Sequence, residues 1–304
     1  MKDKYLITVV GPTAIGKTAM AIKLALHFNT EIISADSRQF YKEMRIGTAV
    51  PSEEELASVP HHFIQHKSIF DTYSVGKFER DAIKKLNELF KKHDVVIMAG
   101  GSGLYVNAVI DGLDDFPAVD DSVREKLNLE LKEQGIGSLQ EKLKECDPEH
   151  YKKMDIDNPQ RLIRALEICI GTGKPYSSFL KQKEIARDFK SIKIGLTADR
   201  EVIYDRINRR VDIMISEGLI NEARRLYEYQ NLNALQTVGY KELFSHFSGD
   251  ADLDFAVSEI KKNTRRFAKR QSTWFKKDDG ILWFDYTAPL EQVLNKLTLQ
   301  LNKS

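Results

Sequence analysis

The chain has 304 residues, of which 42% are hydrophobic and 30% charged, and its formal net charge is +1. That is enough for one large α/β domain, or for a core with a smaller insert, at the composition of an ordinary globular protein. No apolar run approaches the ~18 residues of a membrane span. Nothing at the N-terminus reads as a signal peptide, and Cys146 and Cys169 lack the spacing of a disulfide framework or zinc site. The cytoplasm is the expected compartment, and with so weak a global field any nucleic acid must be held by local patches.

Tyr5 to Val10 is a short apolar, β-branched run, as in a strand buried on both faces. It leads into Gly11-Pro12-Thr13-Ala14-Ile15-Gly16-Lys17-Thr18, a complete G-x-x-x-x-G-K-[ST] motif followed by a helical apolar pattern. Strand, glycine loop and helix are the setting in which this motif binds phosphate. The glycines turn backbone N–H groups inward, the helix N-terminus adds partial positive charge, Lys17 reaches the terminal phosphates, and the Thr18 hydroxyl can hold Mg²⁺. The loop marks a nucleotide- or diphosphate-binding site, ATP included, but names no reaction.

Residues 31–35 read as a second strand with Asp36 at its carboxyl end, where open α/β sheets bind ligands. Asp36 is therefore expected near the mouth of the loop, with helix or turn capping as the plainer alternative. A third strand is expected around 62–69. His61, His62 and His66 are not read as a metal site, for want of HExxH or a nearby carboxylate at ligand spacing. An amphipathic helix is expected over 75–92, then a buried strand over 94–98 that ends in Ala99-Gly100-Gly101-Ser102-Gly103. Glycines and Ser102 stand where an NTP-hydrolysing P-loop protein carries its Mg²⁺-holding acid, which argues against motor-type NTPase activity.

From residue 114 the pattern turns polar, and 120–190 reads as several helices without strands. The expected fold is therefore α/β: a P-loop NTPase-like core with a parallel sheet flanked by helices, over 1–114 and 191–304. A small all-helical insertion domain over 115–190 interrupts it. Arg161 and Arg164 share one face of a helix that starts at Asn158-Pro159, which by itself reads as a solvated face. Strand character resumes over 191–197, a last strand is expected at 281–284, and a C-terminal helix follows. The stretch 261–277 carries no acid and interleaves Phe267, Trp274 and Phe275. It is either a solvated helix with its aromatics in the core or a phosphate-binding stripe.

Taken together, GPTAIGKT (11–18), ISADSRQFYKEMRIGTAVP (33–51), VPHHFI (59–64), AGGSGLY (99–105), NPQRLIRALE (158–167), RINRRVDIMISEGL (206–219), QTVGYKE (236–242) and KRQSTWF (269–275) resemble the tRNA dimethylallyltransferases, or tRNA isopentenyltransferases. The segments keep the family's order across nearly the whole chain. Val50 stands where Lys is common in the family, and Ser102 where Thr is common.

The resemblance implies transfer of a dimethylallyl group from dimethylallyl diphosphate to N6 of adenosine 37 in tRNA, with release of diphosphate and a need for Mg²⁺. It makes Asp36 the proton acceptor beside Lys17 and Thr18, and adds Arg210 to Gly11–Thr18 as a diphosphate ligand. It assigns tRNA contacts to Asp36, Ser37, Arg38, Gln39, Ser102, Arg124, Gln160, Arg161, Leu162, Ile163, Arg164, Gln236, Thr237, Val238, Gly239, Tyr240 and Lys241. On this reading the insert clamps the anticodon stem-loop, no membrane is involved, and a monomer is expected. The rival reading is a P-loop small-molecule kinase using ATP, which shares the loop and the strand-end carboxylate.

Overall fold

The structure is a computed structural model that describes residues 3–180 and 185–301. Residues 181–184, within the expected helical insert, lie outside the described residues, as do the first two and last three positions. The chain divides into two compact units, Met1–Asp111 with Arg187–Ser304, and Gly112–Ala186. These divisions fall a few residues before the 114/115 and 190/191 boundaries read from sequence.

The first unit is built on one parallel sheet. Its strands are β1 (Tyr5–Val10), β2 (Ile32–Ser34), β3 (His61–His62), β4 (Val95–Ala99), β5 (Lys190–Thr197) and β6 (Ile281–Asp285), arranged in the order β3-β2-β4-β1-β5-β6. Every pairing is parallel. Side chains alternate across the pleat. Leu6 and Val10 of β1, Ile33 of β2, and Val96 and Met98 of β4 enter one core. Ile7 and Val9 of β1, Ile32 of β2 and Ile97 of β4 enter the other. Burial on both faces explains why these strands read as continuous apolar runs.

β3 is the clear departure from expectation. Two residues pair where a run over 62–69 was expected, because Phe63 and Gln65 take left-handed backbone angles (φ 66° and 46°) that end the ladder. Only an isolated bridge, Tyr41 to Lys67, continues the direction. The expected helix from Val75 forms and stops at Leu89, opened by a Ser74 cap on the Lys77 N–H. A third apolar core, centred on Tyr240, Leu219 and Met44, joins the later helices to the segment after β2.

Among its described residues the second unit packs four α-helices, Asp121–Gln134, Ile136–Cys146, Pro148–Lys153 and Pro159–Thr172, around Leu127, Leu139, Leu143, Leu162, Ile163 and Leu166. Asn158 caps the last of these on the Arg161 N–H, with Pro159 in its first turn, where a missing donor costs nothing.

Candidate active site

The glycine loop leaves β1 and enters the helix Lys17–His27 with positive φ at Gly11 (140°), Ala14 (64°) and Gly16 (105°). At Gly11 a side chain is impossible, since a Cβ would lie 2.5 Å from the Leu196 carbonyl oxygen of β5. No side chain caps the helix, so its first N–H groups face a ligand site. Two polar contacts set the loop. Arg206 Nε donates to the Ala14 carbonyl (2.7 Å), and the Thr13 N–H donates to Gln271 Oε1 (2.8 Å).

Lys17 Nζ donates to the Pro12 carbonyl (2.8 Å). Burial lowers its pKa to about 8, the Asp36 carboxylate opposes the shift, and Arg210 adds to it. Arg210 and Arg38 are likewise lowered by burial of their guanidinium groups and raised by Asp36. Each of these three residues is partly exposed as a whole, but its charged end is desolvated. Asp36 is thus the one carboxylate that acts on all three of these cations.

Asp36 follows β2, and β4 holds this stretch close. The Ala35 N–H donates to the Ala99 carbonyl (2.8 Å), and a Cβ on Gly100 would lie 2.4 Å from Ala35 O. Asp36 Oδ1 accepts the Arg38 N–H (3.1 Å), and among the described residues no hydrogen bond takes its other oxygen. The Ser37 N–H donates to Ser102 Oγ (3.1 Å), and the two hydroxyls lie 3.0 Å apart. Gln39 Nε2 donates to the Ala49 carbonyl (2.8 Å). The Arg38 guanidinium lies 3.9 Å from the centre of the Phe267 ring, a cation–π contact.

A cleft of about 1000 Å³ gathers Thr13 to Thr18, Asp36, Gln39 and Arg210 into one lining. Gly11 and Pro12 are buried beneath it as the turn. Other predicted residues have other placements. Tyr240 is 0% exposed, and its hydroxyl donates to Glu222 Oε1 (2.6 Å). Glu222 also accepts the N–H groups of Arg45 (3.0 Å), Ile46 (2.9 Å) and Gly47 (2.9 Å). Tyr240, expected as an RNA contact, therefore lies in the core. Its aromatic character fits the space above Gly47, where a Cβ would meet the ring at 2.7 Å. Gly239, just before it, takes φ 102° and opens the helix Tyr240–Phe247. Gln236 and Lys241 are exposed, Thr237 and Val238 partly so.

In the second unit Leu162 and Ile163 are 0% and 1% exposed and lie in its core. Gln160 and Arg161 are exposed. Arg124 and Arg164 converge on one buried carboxylate. Glu167 Oε2 accepts from Arg124 Nη2 (2.8 Å) and Arg164 Nη1 (3.3 Å), which leaves an excess positive charge on a fixed pair of guanidinium groups.

Three contributors escaped sequence reasoning: Gln271, Glu167 and Glu222. Each is one polar residue inside a helix, and only the fold shows that it is buried. The histidines also differ from expectation in one respect. Glu31 is the carboxylate thought to be missing, at 2.7 Å from His62 Nε2 and 3.7 Å from His93 Nε2. Even so, no group of three or more His, Cys, Asp or Glu suited to a metal occurs among the described residues. Mg²⁺ needs no such group. It is held by one or two protein oxygens with substrate phosphates and water, and the Thr18 hydroxyl and Asp36 carboxylate in the cleft are oxygen donors of that kind.

Among the described residues no helix is long and apolar enough to cross a membrane. Residues 39–278 match the sequence model of the family described as IPP transferase. The chain is 64% identical over 300 residues to a tRNA dimethylallyltransferase of Christiangramia forsetii, covering 99% of both. It is 57% identical over 303 residues to that of Flavobacterium psychrophilum, covering 98% of this chain and 99% of the relative. The crystal structure of a tRNA isopentenylpyrophosphate transferase from Bacillus halodurans superposes with a TM-score of 0.73 at 38% identity, covering 99% of this chain and 98% of that one. A eukaryotic dimethylallyltransferase solved acting on tRNA gives 0.79 at 27% identity, over 93% and 74%. With its P-loop core, its ordered motifs and identity of this extent, the chain belongs to the IPP transferase family.

Proposed function

We propose that the chain transfers a dimethylallyl group from dimethylallyl diphosphate to N6 of adenosine 37 in tRNA. One observation carries the reading: a phosphate loop and a strand-end carboxylate share a single cleft, in a chain whose relatives are named for this reaction. The loop reads phosphate oxygens only, so it holds a diphosphate as well as the end of a nucleotide. As the allylic C–O bond breaks, charge gathers on the leaving diphosphate. The loop N–H groups, Lys17 and Arg210 face that charge already oriented, which lowers the barrier without reorganisation. The Thr18 hydroxyl would hold Mg²⁺ against the diphosphate, where the ion supplies further neutralisation of the leaving group. Asp36 takes the proton from the attacking N6 amine, whose lone pair is delocalised into the adenine ring. Its carboxylate is oriented for this by the Arg38 N–H.

The acceptor base must leave its stack to reach this cleft, at a cost of a few kcal/mol. The Ser37–Ser102 contact and the exposed Gln236 and Lys241 are its proposed surroundings. Arg124, Arg161 and Arg164 of the second unit are proposed to hold backbone phosphates of the anticodon stem-loop. The same reading places a monomer in the cytoplasm beside its tRNA.

A melting experiment tests the diphosphate half. Dimethylallyl diphosphate at a hundredfold excess over Kd should stabilise the protein by about 2.7 kcal/mol, and ATP by much less. Protection of that size by ATP, with none by the prenyl diphosphate, would favour the kinase.

A further inference from the structure

We propose that Gln271 is a positioning residue of the transfer reaction, its buried amide tying the phosphate loop to the loop after β4 and so setting the spacing between the diphosphate cradle and Asp36.

Gln271 lies on the long helix Leu253–Phe275 and is 6% exposed. Its Oε1 accepts the Thr13 N–H (2.8 Å), and its Nε2 donates to the Gly101 carbonyl (2.9 Å). The partners fix the amide's direction, because a backbone N–H only donates and a carbonyl only accepts. There is no slack at the far end. A Cβ on Gly101 would sit 2.3 Å from Gln271 Nε2 and 3.5 Å from Lys17 Nζ.

The connection continues through covalent neighbours. Ser102 follows Gly101 and takes the Ser37 N–H (3.1 Å), and Ser37 follows Asp36. Gln271, with the Ser102 hydroxyl, therefore links the element that holds the leaving group to the element that carries the proton acceptor. A misplacement of about 1 Å between reacting groups costs about a hundredfold in rate. A single amide bridging 170 to 258 positions of sequence is well placed to prevent one.

The kinetic part of the test rests on the prenyl-transfer reading, whereas the binding part, with inorganic pyrophosphate as probe, does not. Gln271→Leu removes both hydrogen bonds at similar volume. Its kcat at saturating substrates should fall by about a hundredfold, with pyrophosphate bound about tenfold more weakly and tRNA bound as before. Gln271→Glu is the sharper variant. A protonated carboxyl accepts with one oxygen and donates with the other, as the amide does, whereas an ionised one only accepts and opposes the Gly101 carbonyl. Its pyrophosphate affinity and kcat should match wild type at the acid end of the range and fall as the carboxyl ionises, a limb on the acid side of the one that Lys17, with its pKa of about 8, gives both proteins. Should the Leu variant fail to fold, the Glu variant, compared with wild type from acid to neutral pH, carries the test.

The proposal is overturned if Gln271→Leu keeps kcat and pyrophosphate affinity within about twofold of wild type. It is equally overturned if Gln271→Glu follows the wild-type pH profile. A wild-type enzyme without transfer activity, but with Gln271-dependent pyrophosphate binding, would sink the functional reading and leave the brace standing.

Discussion

At Lys17 one proton links solvent acidity to the phosphate cradle. Its folded pKa is about 8, below the ~10.4 of an unfolded chain. Between those values the native state binds fewer protons than the unfolded one, so the free protein should gain stability as pH rises from about 8 to about 10. Diphosphate binding needs the ammonium, so the Kd for dimethylallyl diphosphate should rise above pH 8, by up to about tenfold per unit. Titration calorimetry across that range reads the effect, and Lys17→Arg, which stays charged, should flatten it. A wild-type Kd constant from pH 7 to 10 would remove this proton from the binding step. Asp36→Ala should lower kcat by roughly 10²–10⁴, the contribution of one general base, while tRNA binding persists. An unchanged kcat would exclude Asp36 as the acceptor. At this scale the sequence is legible where chemistry is local. Gly11 to Thr18 declare themselves because glycines, lysine and hydroxyl are contiguous. Gln271 does not, because its partners are Thr13 and Gly101, and no spacing rule joins them. Tyr240, Leu162 and Ile163 show the converse, since one motif can hold buried and exposed residues side by side.

Among the elements, apolar runs foretold β1, β2 and β4, because strands buried on both faces need no partner to be recognised, whereas β5 was read from its alternation and β6 as a last, edge strand. β3 was overextended, since nothing in Phe63 or Gln65 announces a left-handed backbone. Helix faces were harder. Arg161 and Arg164 share a helix with buried Glu167, which lies three positions on from Arg164, but only tertiary packing brings Arg124 onto that carboxylate. Replacing Arg124 and Arg164 together by Ala should weaken tRNA binding and reduce the slope of log K against log salt by about 0.9 for each phosphate that is no longer neutralised. If only the melting temperature falls, these arginines are structural. Glu222 offers a stability test. It joins the helix Leu219–Leu226 to the segment at Arg45–Gly47 and to Tyr240. Glu222→Ala strands four donors, each costing ~1–3 kcal/mol if left buried and dry. Chemical denaturation should show a loss of at least about 2 kcal/mol, and a loss below about 0.5 would mean that water replaces the carboxylate.

For the whole molecule, a net charge of +1 rules out a global electrostatic hold on RNA and leaves recognition to patches. The division into two units was legible because the polar stretch from 114 and the loss of strand patterns bracket the insert. The exact bounds, Gly112 and Ala186, were not, since compactness rather than composition sets them. If the second unit clamps the anticodon stem-loop, amide exchange over 112–186 should slow when tRNA binds, by more than over the strands of the core. Unchanged exchange there would leave the insert without a role in holding RNA. The account as a whole stands on one assay, the Mg²⁺-dependent transfer of label from radiolabelled dimethylallyl diphosphate to unmodified tRNAs that differ only in A or G at position 37. The account predicts label on the A37 tRNA alone. Label on neither tRNA, with ATP consumed when small metabolites are supplied, would contradict it.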